Sequence, residues 1–201
     1  MIKGNVGVIV IDVQKDLLDT TVQWYKKEDE EVVYKTREFL DVCRESDMPI
    51  IYLQEIHRDS MIDFGRELDG DEAVHCLESS PRTPICAEAL GRIPEKEPLV
   101  PKRRYSGFLY TDLEVVLSGM GLHPGDTLIL TGGFTDVCVH YTFADAHQRD
   151  YRLRVVKDLC VSSTLQAHEN AIEAMRYLQH EAPCTQEEVT AELREWAAAN
   201  R

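Results

Sequence analysis

The sequence predicts a three-layer α/β/α fold, a six-stranded, mostly parallel sheet with helices on both faces. Two observations carry this. Val6 to Ile11 (VGVIVI) and Thr127 to Thr131 (TLILT) are apolar runs without alternation, as strands buried on both faces read. Such runs also alternate with stretches of helical period along the whole chain, the pattern of repeated strand–helix–strand crossovers.

Taken in order, the first strand ends at Asp12. Residues 28–46 form a helix, because Val32, Val33, Thr36, Phe39, Leu40 and Cys43 recur at three- and four-residue steps on a charged background. Pro49 stops it, and Ile50 to Leu53 is the second strand. Residues 57–97 are polar and rich in Pro and Gly. An irregular insert of this length is more often a lid or binding loop than filler. Leu99-Val100 is a short third strand. A helix over 109–119 follows, capped by Thr111 and ended by Gly119 and Gly121. Thr127 to Thr131 is the fourth strand, 135–149 a helix, Leu153 to Val156 the fifth strand and 166–180 another helix. Ala182-Pro183-Cys184 gives a brief sixth strand. Thr185 caps the last helix, with Glu188 completing a capping box. Residues 1–201 form a single domain, with no repeat, low-complexity segment or linker.

The 201 residues carry a net charge of −14, which argues against a nucleic-acid partner, since phosphate binding needs a basic surface. No apolar run approaches the ~20 residues of a membrane span, and the N-terminus shows no signal-peptide pattern. A cytoplasmic protein with reduced cysteines is expected. None of the six cysteines sits in a Cys-x-x-Cys pair.

In parallel sheets, sites form beyond the carboxyl ends of the strands. Asp12 follows the first strand, Glu55 and His57 the second, Lys102 the third and Gly132-Gly133-Phe134 the fourth. Cys138 lies in the first turn of the next helix, where the helix N-terminus favours thiolate. Asp12 is then a candidate proton acceptor, and Lys102 a cation that lowers the thiol's pKa. The backbone N–H groups of Phe134 and Cys138 are a candidate oxyanion hole. Each residue alone also fits a plain structural role, a strand-end acid, a surface lysine or a buried thiol. Their joint order is what links them.

The stretch TGGFTDVCVHYTFADA around Cys138, with VIDVQKD over 10–16 and Val100-Pro101-Lys102, resembles the isochorismatase-like cysteine hydrolases. These include nicotinamidases, N-carbamoylsarcosine amidases and biuret-type ureide hydrolases. The resemblance implies a catalytic triad of Asp12, Lys102 and Cys138 and a cis peptide between Gly133 and Phe134. It also implies C–N hydrolysis of a small amide or ureide through a Cys thioester, because members that cleave a vinyl ether lack this cysteine. A homodimer or homotetramer is expected on the same ground.

Nicotinamidases of this family bind metal through Asp-x-His followed closely by another His. Here Glu55 and His57 supply two ligands, and the next histidine, His75, is 18 residues further on. A third ligand is missing at the expected spacing, so zinc at Glu55/His57 is disfavoured and no cofactor is expected. Gln14, Glu55, His57, Arg58, Tyr105 and Phe108 are the expected substrate-binding residues, with Trp24, Tyr25 and Phe134 as further candidates to wall the pocket. A metal-dependent nicotinamidase-like amidase and a non-catalytic binding or regulatory member of the fold are the alternatives. A thiol redox role lacks a neighbouring resolving cysteine.

Overall fold

The computed structural model describes residues 2–20 and 27–200, so Trp24 and Tyr25 lie outside the described residues. Six strands form one sheet: β1 (Val6–Ile11), β2 (Ile50–Glu55), β3 (Leu99–Lys102), β4 (Thr127–Gly132), β5 (Arg152–Cys160) and β6 (Pro183–Cys184). The helices are α1 (Lys15–Thr20), α2 (Lys27–Glu45), α3 (Ala87–Leu90), α4 (Leu113–Gly119), α5 (His140–His147), α6 (Leu165–Leu178) and α7 (Gln186–Asn200).

Every strand pairing is parallel, and the sheet order is β3-β2-β1-β4-β5-β6. The chain winds outward from β1 to β3, then returns to β4 on the other side of β1. The switch point between β1 and β4 leaves a crevice beyond their carboxyl ends, where such sheets place their ligands.

The alternation of β1 shows why two faces are covered. Val8 and Val10 join a core with Phe39 and Leu40 of α2 and Val189 and Leu193 of α7. Ile9 and Ile11 join the opposite core with Leu113 and Leu117 of α4, Phe143 of α5 and Met175 of α6. A strand buried on both sides has no polar face, and none of the six residues of β1 is exposed.

Three elements depart from the expectation. β5 runs on to Cys160, past Lys157 and Asp158, which break the apolar run but stand on a strand whose register shifts between Leu130 and Gly132 of β4. Helix α4 starts at Leu113, with Asp112 at its cap position and no side-chain cap. Thr111 instead donates its hydroxyl to Gly107 O and accepts the Leu113 N–H at 3.2 Å, within the preceding turn. The 57–97 insert is also less irregular than its composition suggests. A parallel bridge joins His57 to Leu77 and an antiparallel one joins Gln14 to Ile85. The capping box of α7 forms as read: Thr185 N donates to Glu188 Oε2 at 2.7 Å, and Glu188 N to Thr185 Oγ1 at 3.2 Å.

One glycine is dictated by the site. Gly132 ends β4 with φ +116°, and a Cβ there would sit 2.0 Å from Ile11 O. Only a residue without a side chain lets β4 come this close to β1 as the chain turns toward Cys138.

Candidate active site

Three strand ends and one turn deliver the reacting groups. Asp12 caps β1 with φ +50°, a region Asp tolerates better than most residues, and its N–H donates to Leu53 O at 3.1 Å. Glu55 and Lys102 are cross-strand partners at the ends of β2 and β3. The turn after β4 contains the Gly133–Phe134 peptide bond, which is cis. Thr135 then fastens the chain to Val161 O through its N–H at 2.7 Å and its hydroxyl at 2.9 Å. This fixes the single π-type turn Thr135–Val139 that leads into α5 and carries Cys138.

The four side chains meet in a dry cluster. Lys102 is 1% exposed. Its Nζ lies 2.8 Å from Asp12 Oδ2, 2.7 Å from Glu55 Oε2 and 3.4 Å from Cys138 Sγ. The Cys138 sulfur is 3.6 Å from Glu55 Oε2. Lys102 ion-pairs with Asp12, and hydrogen bonds from Lys102 and Cys138 favour its carboxylate form.

Burial and charge set the protonation states. Burial raises Asp12 to about 6, against the downward pull of Lys102. Burial opposes the charge on Lys102, but Asp12, Cys138 and Glu55 together hold it well above the usual lysine value. Glu55 is held well below the usual carboxylate range, since Lys102 and two histidines outweigh its burial. Burial also lifts Cys138 well above an ordinary thiol, and Asp12 and Glu55 reinforce this against Lys102. The resting cysteine is thus a thiol. Burial and the two neighbouring carboxylates outweigh Lys102, so the thiol needs a proton acceptor.

A second cluster adjoins the first. Glu55 Oε1 lies 2.9 Å from His75 Nε2 and 3.2 Å from His57 Nε2, which in turn is 3.2 Å from Glu67 Oε2. All four residues are buried, and their donor atoms lie within 4.8 Å of one another. Phe64 stacks on His57 at 3.9 Å between ring centroids. His75 Nδ1 sits 2.7 Å from Ala73 O, which turns Nε2 toward the cluster. Burial works against charge on His57, but hydrogen bonds to Glu55 and Glu67 raise it to about 9.

Folding therefore brings beside Glu55 and His57 the donor that spacing did not offer. His57 N donates to Cys76 O and Glu78 N to His57 O, and this short parallel bridge swings His75 back beside Glu55. Glu67 arrives through a single turn of 3-10 helix, Glu67–Asp69. Spacing offers no signal for either residue.

Leu17, Glu55, Glu72, His75, Tyr105, Phe134, Val137 and Cys138 line a pocket above the sulfur, with about 20 Å³ open to the centre of a water molecule. Tyr105 reaches it as expected, and its hydroxyl donates to Glu72 Oε2 at 3.2 Å. Glu55 is on its wall, while His57 lies behind it. Three expected contacts are corrected. Gln14 is wholly buried, donating to Glu55 O at 2.8 Å and accepting the Glu55 N–H at 2.8 Å; its amide braces β1 against β2. Arg58 points outward, 3.8 Å from Asp63 with its side chain 57% exposed. Phe108 is a core residue among Leu113, Leu117 and Tyr151. Glu72, which spacing did not single out, is a wall residue. A larger groove of about 530 Å³, lined by Lys3, Asp126 and Trp196 among others, lies beneath the opposite end of the sheet, away from the sulfur.

Residues 6–188 match the family model described as the Isochorismatase domain. The ureidoacrylate amidohydrolase RutB of Methylorubrum extorquens is 44% identical over 53 residues, 26% of this chain and 20% of that protein. The match thus spans about a fifth of that relative's length. Nicotinamidase 3 of Arabidopsis thaliana is 24% identical over 130 residues, 65% of this chain and 64% of that protein. Among solved structures, a cysteine hydrolase from Pseudomonas syringae pv. phaseolicola superposes with a TM-score of 0.82 at 25% identity, covering 97% of each chain.

Proposed function

Because the chain belongs to the isochorismatase family, we propose that it is a cysteine amidohydrolase that cleaves a C–N bond of a small amide or ureide. The observation that carries the reading is one buried constellation: Lys102 Nζ stands 2.8 Å from the Asp12 carboxylate and 3.4 Å from the Cys138 sulfur. Asp12 takes the thiol proton as sulfur attacks the carbonyl carbon. The oxyanion settles on the N–H groups of Phe134 and Cys138. Asp12 returns the proton to the departing nitrogen, which leaves as ammonia or an amine. Asp12 then takes a proton from water as it hydrolyses the thioester, and the proton passes back to sulfur. Lys102 stays cationic throughout and offsets the negative charge that moves between carboxylate, sulfur and oxyanion.

Ammonia release from a panel of carboxamides and ureides tests this directly, and its pH profile tests the role of Asp12. Asp12 accepts a proton only while ionised. The kcat/KM is therefore expected to fall as pH drops through about 6, approaching a tenfold loss per pH unit below it. A profile that stays flat well below that pH would remove Asp12 from the role.

The second cluster fits a divalent metal ion. The buried Glu67 carboxylate meets His57 Nε2 at 3.2 Å through Oε2, while its Oε1 is 4.0 Å from Arg104, and His75 turns Nε2 toward the cluster because its Nδ1 faces Ala73 O. Carboxylate and imidazole donors of this kind suit zinc and its neighbours. Glu55, His57, Glu67 and His75 would hold the ion, which when bound supplies a Lewis acid at the pocket wall. The sequence expectation of no metal rested on a missing third ligand, and the insert provides two more. Elemental analysis of protein purified without chelator should find stoichiometric metal in the wild type and a large loss in His75→Ala; protein that is active and metal-free would reject this part of the proposal.

A further inference from the structure

The amidohydrolase reading names the bond that reacts. The rest of the pocket bears on what the substrate carries beyond that bond. Leu17, Phe134 and Val137 are apolar walls. Glu55 is already engaged on both oxygens, by Lys102 on one and by His57 and His75 on the other. His75 is engaged on both nitrogens, by Ala73 O and Glu55. Lys102 is held between Asp12 and Glu55. Two polar groups of the wall remain, Glu72 and Tyr105, and they face each other: the Tyr105 hydroxyl donates to Glu72 Oε2 at 3.2 Å.

That pairing has a direction. Tyr105 has given its only hydrogen to Glu72, so both groups present lone pairs to a ligand. A carboxylate accepts through two oxygens with about four lone-pair sites, and one is taken. The half-buried Glu72 lacks an arginine or lysine partner among its ion pairs in the described residues. Outside the Glu55–His57–Glu67–His75 cluster, the spare polar valence of Glu72 and Tyr105 is acceptor-only while Glu72 is ionised, although burial, Glu55 and Glu67 raise the Glu72 carboxyl above its usual value. A substrate carboxylate entering here would meet the Glu72 carboxylate, and like charges in a confined site disfavour binding.

We propose that Glu72, positioned by Tyr105, is the specificity residue of this site, and that the substrate is a small amide or ureide whose tail carries N–H donors, neutral or cationic, and no carboxylate. The identity of the reacting head rests on the amidohydrolase reading; the selection of the tail does not.

Three ureas with one reacting head and different tails test this: N-(2-aminoethyl)urea, propylurea and N-carbamoylglycine. Binding is measured by calorimetry on the Cys138→Ala protein, where no turnover interferes, and ammonia release on the wild type. The amine tail should bind more tightly than the carboxylate tail by about tenfold or more, with propylurea between. Glu72→Gln should bring the two charged ligands to within about twofold, and Glu72→Lys should invert their order. Equal or tighter binding of N-carbamoylglycine to the parent protein, or an order that Glu72→Lys does not move, would overturn the proposal. The predicted binding order without ammonia release from any of the three would support Glu72's role and count against the amidohydrolase reading instead.

Discussion

Cys138→Ala is expected to lose activity by a factor of about 10⁴ or more while the protein still folds. Among the described residues, the sulfur is the nucleophile at the pocket floor best suited to form the acyl bond; Asp12 and Glu55 lie beside it as carboxylates and Lys102 pairs with both. The fold should survive because the substitution removes one atom from a site where burial and two carboxylates already press on the thiol. Cys138→Ser is expected to fail almost as completely. Its hydroxyl is harder to deprotonate than the thiol, and Asp12 is no stronger a base for it. Steady-state ammonia release with a thermal melt on the same samples checks both. Near-wild-type turnover in either variant would remove the nucleophile from the scheme.

Lys102→Met carries the second large effect, and it falls on the fold as well as the chemistry. Among the described residues, the ammonium is the one cation within 3 Å of both the Asp12 and Glu55 carboxylates. Removing one partner of a buried ion pair typically costs about 3–5 kcal/mol, because the remaining charge is left without compensation. The cost should also become pH-dependent. Burial already raises Asp12 above its ordinary value to about 6, and loss of Lys102 removes the force that holds it down, so its folded-state pKa rises further. An acid whose folded pKa exceeds its unfolded pKa binds more protons when folded, so stability falls as pH rises between the two values. The variant should therefore be measurably more stable at pH 5 than at pH 8 by urea denaturation, and more pH-sensitive than wild type over that range. Turnover should fall with it, since Asp12 would hold its proton at neutral pH. A stability loss below about 1 kcal/mol with an unchanged pH slope would show that Lys102 is not the charge that holds the cluster together.

What could be read from the residues follows from which interactions are local. The strands of this sheet declare themselves because a strand buried on both faces has no polar side, as VGVIVI shows. The cap of α7 is legible because Thr185 and Glu188 satisfy each other across three residues. Asp12, Lys102 and the turn before Cys138 are legible because a parallel sheet gathers its strand ends at one edge. The insert resists for the opposite reason. His75 and Glu67 reach Glu55 through a bridge between His57 and Leu77, a contact that no periodicity encodes. Gln14 and Phe108 mislead because each lies close in sequence to a site residue yet turns into the frame. Gln14 ties β1 to β2, and Phe108 packs under α4. Burial and Glu55, both products of the tertiary fold, lift the Cys138 thiol above its usual value, which local cues alone do not show.

If a thioester on Cys138 lies on the path, partitioning to hydroxylamine measures it even when the intermediate never accumulates. Two substrates that share an acyl group but differ in the leaving amine are hydrolysed with hydroxylamine present, and the ratio of hydroxamate to acid is recorded. One common acyl-enzyme predicts the same ratio from both substrates and no hydroxamate from Cys138→Ala. A ratio that changes with the leaving amine, or hydroxamate formed by the alanine variant at the wild-type rate, would contradict the account.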